Sequence, residues 1–158
     1  RRQRQMCIRD SYKERVYFPA VLSDDADFKK IFNRVPPNKS AFIKIDIEGG
    51  EYRVVDDLLD KIEHINGLVI EFHDVGVLRA TFIESIVKLK RHFYIVHIHI
   101  NNAGGLWVDG FPDALEITFS KKDLVVESAL RTVLPIENLD APNIPGNCDY
   151  RLCFEANI

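Results

Sequence analysis

The sequence predicts an α/β domain built on an open, mostly parallel β-sheet, and three observations carry that prediction. Strand-like and helix-like segments alternate from Ala41 onward, the grammar of parallel strands joined by right-handed helical crossovers. The last clear strand follows a loop without a helix, so it returns antiparallel as a hairpin partner. Polar residues fall repeatedly at the carboxyl ends of the strands, where open α/β sheets bind ligands. At 158 residues, 46% hydrophobic and 28% charged, the chain fits one domain with a real core.

The elements follow in order. SDDADFKKIFNRV, from Ser23, sets Phe28, Ile31, Phe32 and Val35 on one helical stripe. Ser23 or Asp24 can cap it, and Pro36-Pro37 ends it. AFIKIDIEG alternates as a strand, with Ile43, Ile45 and Ile47 on one face and Lys44, Asp46 and Glu48 on the other. Gly49-Gly50 stops it. EYRVVDDLLDKIEHI spaces Val54, Val55, Leu58, Leu59 and Ile62 as a helix. GLVIEFHDV is nearly continuous in apolar residues, as a strand buried on both faces would be. TFIESIVKLKRHF is a second amphipathic helix and YIVHIHINN a third strand. NAGGLWVDGFPD is turn-rich, ALEITFSK is a fourth strand, and RLCFE is a short terminal one after a Pro- and Asn-rich stretch.

Composition excludes several partners. A formal charge of −3 offers no basic surface for nucleic acid. No apolar run reaches the ~20 residues of a membrane span, and no signal-peptide core is visible. Cys7, Cys148 and Cys153 lack zinc-type spacing, so a reduced, cytoplasmic chain is expected. Residues 1–11, RRQRQMCIRDS, read as a translated sequencing adapter at the end of a truncated metagenomic gene, or else as a disordered basic tail.

The chemistry is expected at one rim. Asp46 and Glu48 end the first strand, Glu71, His73 and Asp74 the second, and His99, Asn101 and Asn102 the third; Glu116 begins the antiparallel fourth. Residues two apart on an extended strand stand about 6.6 Å from each other, but adjacent strands lie about 4.8 Å apart. Asp46 therefore pairs better with Glu71 or His73 than with Glu48. Plainer roles compete: Asp46 and Glu48 could cap the helix starting near Glu51, and His73 and His97 could be hydrogen-bonded core residues. Trp107 is a lid over the rim or ordinary packing, Gly104-Gly105 serves the turn, and Lys44 snorkels or pairs with an acid.

FIKIDIEGGEYRVV, GLVIEFHDV, HIHINNAGG with DGFPDALEITFSK, and LDAPNIPGNCDYRLCFE together resemble the carboxyl-terminal portion of FkbM-type S-adenosylmethionine-dependent methyltransferases. The resemblance runs from Ala41 to about Glu155. It implies a class I methyltransferase-like (Rossmann-like) three-layer sandwich with an antiparallel last strand, here incomplete. Residues 12–158 would be a partial domain carrying the fourth to seventh strands. It also implies O-methylation of a hydroxyl on a sugar, polysaccharide or secondary metabolite. Asp46 and Glu48 would lie near the donor, with Glu71 and His73 in the equivalent place on the next strand. The Gly-rich loop that cradles the donor's methionine part does not occur in these residues, so the chain alone is expected to bind the cofactor poorly and to be inactive.

The expected chemistry makes His73 the general base, oriented by Asp46 or Glu71. His99, Asn101, Asn102, Glu116 and Trp107 would shape the pocket for a small-molecule or glycan acceptor. A Mg²⁺-assisted variant would use Asp46 and Glu71 as oxygen ligands. Two alternatives stand beside it. One is a metal-dependent hydrolase built on His97, His99 and the carboxylates; the other is a non-catalytic half-domain whose sheet edge pairs with another chain.

Overall fold

The computed structural model describes Lys30, Asn33 and residues 39–126 and 133–154. The helix expected over residues 23–35 lies almost wholly outside the described residues, as do residues 1–11. Within them the chain is α/β, in the order β1 (Ala41–Ile45), α1 (Glu51–Leu59), β2 (Ile65–Phe72), α2 (Arg79–Lys90), β3 (Phe93–Ile100), β4 (Leu115–Lys121), β5 (Val133–Leu134) and β6 (Leu152–Cys153). Short 3₁₀ turns at Ile62–His64 and Lys122–Leu124 lead into β2 and out of β4.

The main sheet has the order β1-β2-β4-β3. β1 and β2 are parallel, and β4 runs antiparallel to both β2 and β3. The hairpin expectation holds for β3 and β4, with an addition: β4 also fills the space beside β2. Leu115, Ile117 and Phe119 accordingly sit at 5%, 2% and 0% exposure, which is what a central strand's inward residues require. β5 and β6 form a separate two-stranded ribbon.

Period-2 alternation gives this sheet one apolar and one polar face. Ile45, Leu68, Ile70, Phe72, Ile117, Phe119 and Ile100 join one buried cluster with Val54, Val55 and Leu58 of α1 and Phe82 and Leu89 of α2. Each such Leu, Ile or Phe, hidden from water, contributes about 1.5–3 kcal/mol. Both described helices pack on this face. The opposite face carries Lys44, Glu71, Glu116, Thr118 and the histidines of β3.

β3 reaches that arrangement by an irregularity. Strict alternation would put Ile95, His97 and His99 on one side. The register shifts between Ile95 and His97, so that Ile95 pairs with Phe119 but His97 with Thr118. This bulge is the extra residue that lets Ile95 stay with Ile98 against the core while both histidines turn to the polar face.

Candidate functional site

The turn after β1 builds the site. Glu48 adopts φ 54° and Gly49 φ 94°, so the chain leaves the strand in a tight left-handed curl before α1 begins at Glu51. Glycine takes such a φ freely, whereas Glu48 does so at some cost in strain. The curl corrects one expectation: because the backbone is not extended here, Asp46 and Glu48 bring carboxylate oxygens within 4.8 Å of each other and of His73.

Glu51 is the residue that sequence reasoning missed. Its side chain is fully buried, at 0% exposure. Its Oε1 accepts from Ile47 N at 3.0 Å and Gly49 N at 3.2 Å, and its Oε2 accepts from Gly49 N at 3.0 Å. These bonds answer the cost of burying a carboxylate, about several kcal/mol if it were left bare. An acid at the first helical position, two residues beyond a glycine turn, was the available signal: it can reach back to the loop amides as the acid of a capping box does. No side chain caps α1, Asp46 and Glu48 included; Glu51 instead ties down the loop amides that precede the helix.

His73, the first residue past β2, stands at the centre. Its Nδ1 lies 3.1 Å from Glu51 Oε1. Its Nε2 faces Glu48 Oε2 and Glu71 Oε1, each at 3.8 Å, and Asp46 Oδ1 at 4.0 Å. Burial works against the imidazolium charge. The bond and charge of Glu51, with the charges of Glu71 and Glu48, outweigh it and raise the pKa above the ordinary 6.5. Tyr52 donates its hydroxyl to the His73 carbonyl at 2.6 Å. Burial, aided by the charges of Glu51, Asp74 and Asp113, pushes that phenol's pKa up, so Tyr52 keeps its proton.

Glu71 is the buried acid of the group, at 6% exposure. Burial raises its pKa; the bond from Asn101 Nδ2 at 2.5 Å opposes this, and Asp46 and Glu116 reinforce it. Glu71 lies opposite Glu116 on β4, and Glu116 opposite His99 on β3. Lys44 lies 2.9 Å from Glu116, so the lysine pairs with an acid, one of the two expected roles.

The expected residues therefore divide. Asp46, Glu48, Glu71 and His73 converge; Asn101 joins them through Glu71, and Glu116 adjoins them in register. His99 and Asn102 turn instead to the C-terminal segment. His99 Nε2 lies 2.9 Å from Asp149, and His97 Nε2 lies 2.8 Å from Asp140. Asn102 accepts from Ile144 N at 2.9 Å and donates to the Cys148 carbonyl at 3.4 Å. Asp140 and Asp149 come from the irregular stretch that carries no periodic signal. Among the described residues, one set of three or more His, Cys or acidic groups is close enough to hold an ion, Asp46, Glu48 and His73, and the β3 histidines are outside it.

Trp107 is packed. Its indole covers Gly76 so closely that a Cβ there would lie 1.6 Å from Nε1, and that nitrogen donates to Asp113 Oδ1 at 2.6 Å. The same oxygen accepts from Gly76 N at 3.0 Å, tying the hairpin loop to the turn after β2. Arg79 braces the far end of that loop through a forked pair with Asp109 and lies over the Phe111 ring. Among the described residues no helix is long and apolar enough to cross a membrane.

Set beside known proteins, the chain matches no family model, no curated protein and no solved structure.

Proposed function

We propose that the chain carries the acceptor-side half of an S-adenosylmethionine-dependent O-methyltransferase of FkbM type, acting on a hydroxyl of a sugar, polysaccharide or secondary metabolite. One observation carries the reading: a single imidazole, anchored through Nδ1 by a buried carboxylate, points Nε2 into a rim of three more carboxylates. Its architectural support is a sheet whose parallel strands end at that rim and whose last main strand, β4, runs antiparallel. These four strands would be the fourth to seventh of a class I methyltransferase-like sandwich.

The donor, when bound, supplies an activated methyl group on a cationic sulfonium. Asp46 and Glu48 are chemically suited to lie near that positive charge. The protein's remaining work is to align an acceptor oxygen and take its proton. The Nε2 atom of neutral His73 receives that proton, and the surrounding carboxylates stabilise the imidazolium formed. Donor affinity is the first measurement, because these residues contain no Gly-rich loop. Transfer of label from S-adenosylmethionine to a panel of sugars, by the chain alone and by any longer frame that its source locus encodes, then tests the activity. His73→Ala is expected to lower the rate about 10²–10⁴-fold. Unchanged transfer in that variant would remove His73 from the chemistry, and no transfer by the longer frame would end the reading.

A second reading is favoured by the spacing of the donors. The ligand atoms of Asp46, Glu48 and His73 all lie within 4.8 Å of one another, and inward rotation of the two acids would bring them to the ~3 Å separation of neighbouring ligands on one ion. A cation there would lower the hydroxyl's pKa in place of the base. The ligand set would be Asp46, Glu48 and His73 rather than Asp46 with Glu71. EDTA abolishes transfer under this reading and leaves it intact under the first.

A further inference from the structure

We propose that Glu51 is a positioning residue that sets the tautomer of His73, so that the ring offers its Nε2 lone pair to the rim. Its bearing on catalysis rests on the methyl-transfer reading above; the tautomer itself does not.

Two groups already address the Glu51 carboxylate, and both can only donate: the amides of Ile47 and Gly49. Oxygens collecting N–H donors inside the fold, with no exposure to water, serve as acceptors. The third group to reach Oε1 is His73 Nδ1 at 3.1 Å, and beside an acceptor it stands as N–H. A neutral imidazole carries one proton, so placing it on Nδ1 leaves the lone pair on Nε2.

The other side of the ring completes the argument. The nearest carboxylate oxygens to Nε2 are 3.8, 3.8 and 4.0 Å away, beyond hydrogen-bond reach. Among the described residues no carboxylate is close enough to hold a proton on Nε2 when the ring is neutral. The pivot is held as well, because Tyr52 donates to the His73 carbonyl at 2.6 Å. A role confined to tying down the loop amides would not require the imidazole contact. The helix register that puts Glu51 under Ile47 and Gly49 also puts it beside the first residue after β2.

Long-range ¹H–¹⁵N correlation of the imidazole in the ¹⁵N-labelled chain tests this, at a pH where the ring is neutral. The wild-type ring is expected to show its proton on Nδ1. Glu51→Gln keeps an acceptor oxygen without the charge and is expected to retain that tautomer. Glu51→Met removes the acceptor at similar size and is expected to lose it. A wild-type proton on Nε2 overturns the proposal, and so does an unchanged tautomer in a folded Glu51→Met. Should Glu51→Met not fold, the wild-type and Glu51→Gln spectra decide alone, loss of the Nδ1 proton in either counting against it. In an active longer frame, Glu51→Met should lower kcat with KM unchanged. The expected tautomer in the chain, with no transfer by a longer frame of its locus, would sink the methyltransferase reading and leave this one standing.

Discussion

His73 illustrates how one side chain inherits its chemistry from its neighbours. A solvent-exposed imidazole would titrate near 6.5; here burial opposes protonation, but Glu51, Glu71 and Glu48, at 3.1–3.8 Å, reverse the balance and raise the pKa. If it acts as a base, only the neutral ring works. Methyl transfer should therefore rise with pH through a midpoint above 6.5, and a pH–rate profile in kcat checks this. Replacing Glu48, the most exposed of these three at 88%, with Gln should lower that midpoint least, since solvent screens its charge. The convergence of Asp46, Glu71 and His73 was legible in the residues because strand alternation and strand spacing are enough to derive it. Glu51 was missed: its place at the start of a helix just after Gly49-Gly50 signalled a reach back to the loop amides, but nothing in the pattern signalled its contact with His73. The bonds of His99 and Asn102 to the C-terminal segment were not legible for the same kind of reason. Their partners, Asp149 and the backbone around Ile144 and Cys148, lie in a stretch without period.

Among the elements, the hairpin loop between β3 and β4 and the turn after β2 form one braced unit. Gly76 leaves the space that Trp107 fills, so Gly76→Ala must expel the indole. A loss of about 1–3 kcal/mol is expected from overpacking. Trp107 is the single tryptophan of the chain, so a red-shifted fluorescence maximum in that variant reports its release directly. The C-terminal segment is fastened differently. Asp140 and Asp149, with side chains 7% and 12% exposed, each receive a histidine of β3. Removing a partner leaves a buried acid short of a hydrogen bond, at a cost of about 1–3 kcal/mol. His97→Ala and His99→Ala together should admit protease cleavage within residues 133–154 while amides of β2 and β4 stay protected from exchange. The element order was readable from apolar spacing, and the strand ends differ from expectation by a few residues. The bulge in β3 was not readable, since both histidines look equally placed in an uninterrupted alternation.

At the scale of the whole molecule, the rim couples stability to pH. Glu71, lifted by burial, holds its proton more tightly folded than unfolded. For such a group stability is fully present below the ordinary 4.5 and is lost as pH rises through the raised value. His73 has the same sign: its contribution is complete below 6.5 and fades as pH passes the raised folded value. Urea melts across pH 4 to 9 should therefore show stability declining on the alkaline side. Glu71→Gln, which can still accept from Asn101, should be more stable than wild type at pH 7 and should flatten the acid part of the curve. A wild-type curve that rises steadily to pH 9 would contradict both assignments.

The sheet order has a consequence for the molecule's assembly. β3 is bonded to no strand of the main sheet except β4, and β4 is also the neighbour that β2 needs on its open side. As the polypeptide leaves the ribosome, β1 and β2 can join at once, but β3 emerges with none of the earlier described strands as its partner. Only when Leu115–Lys121 has been synthesised do both orphaned borders close, in a single insertion. Until then the edges of β2 and β3 that β4 will cover stay open, the condition under which strands from different chains find each other.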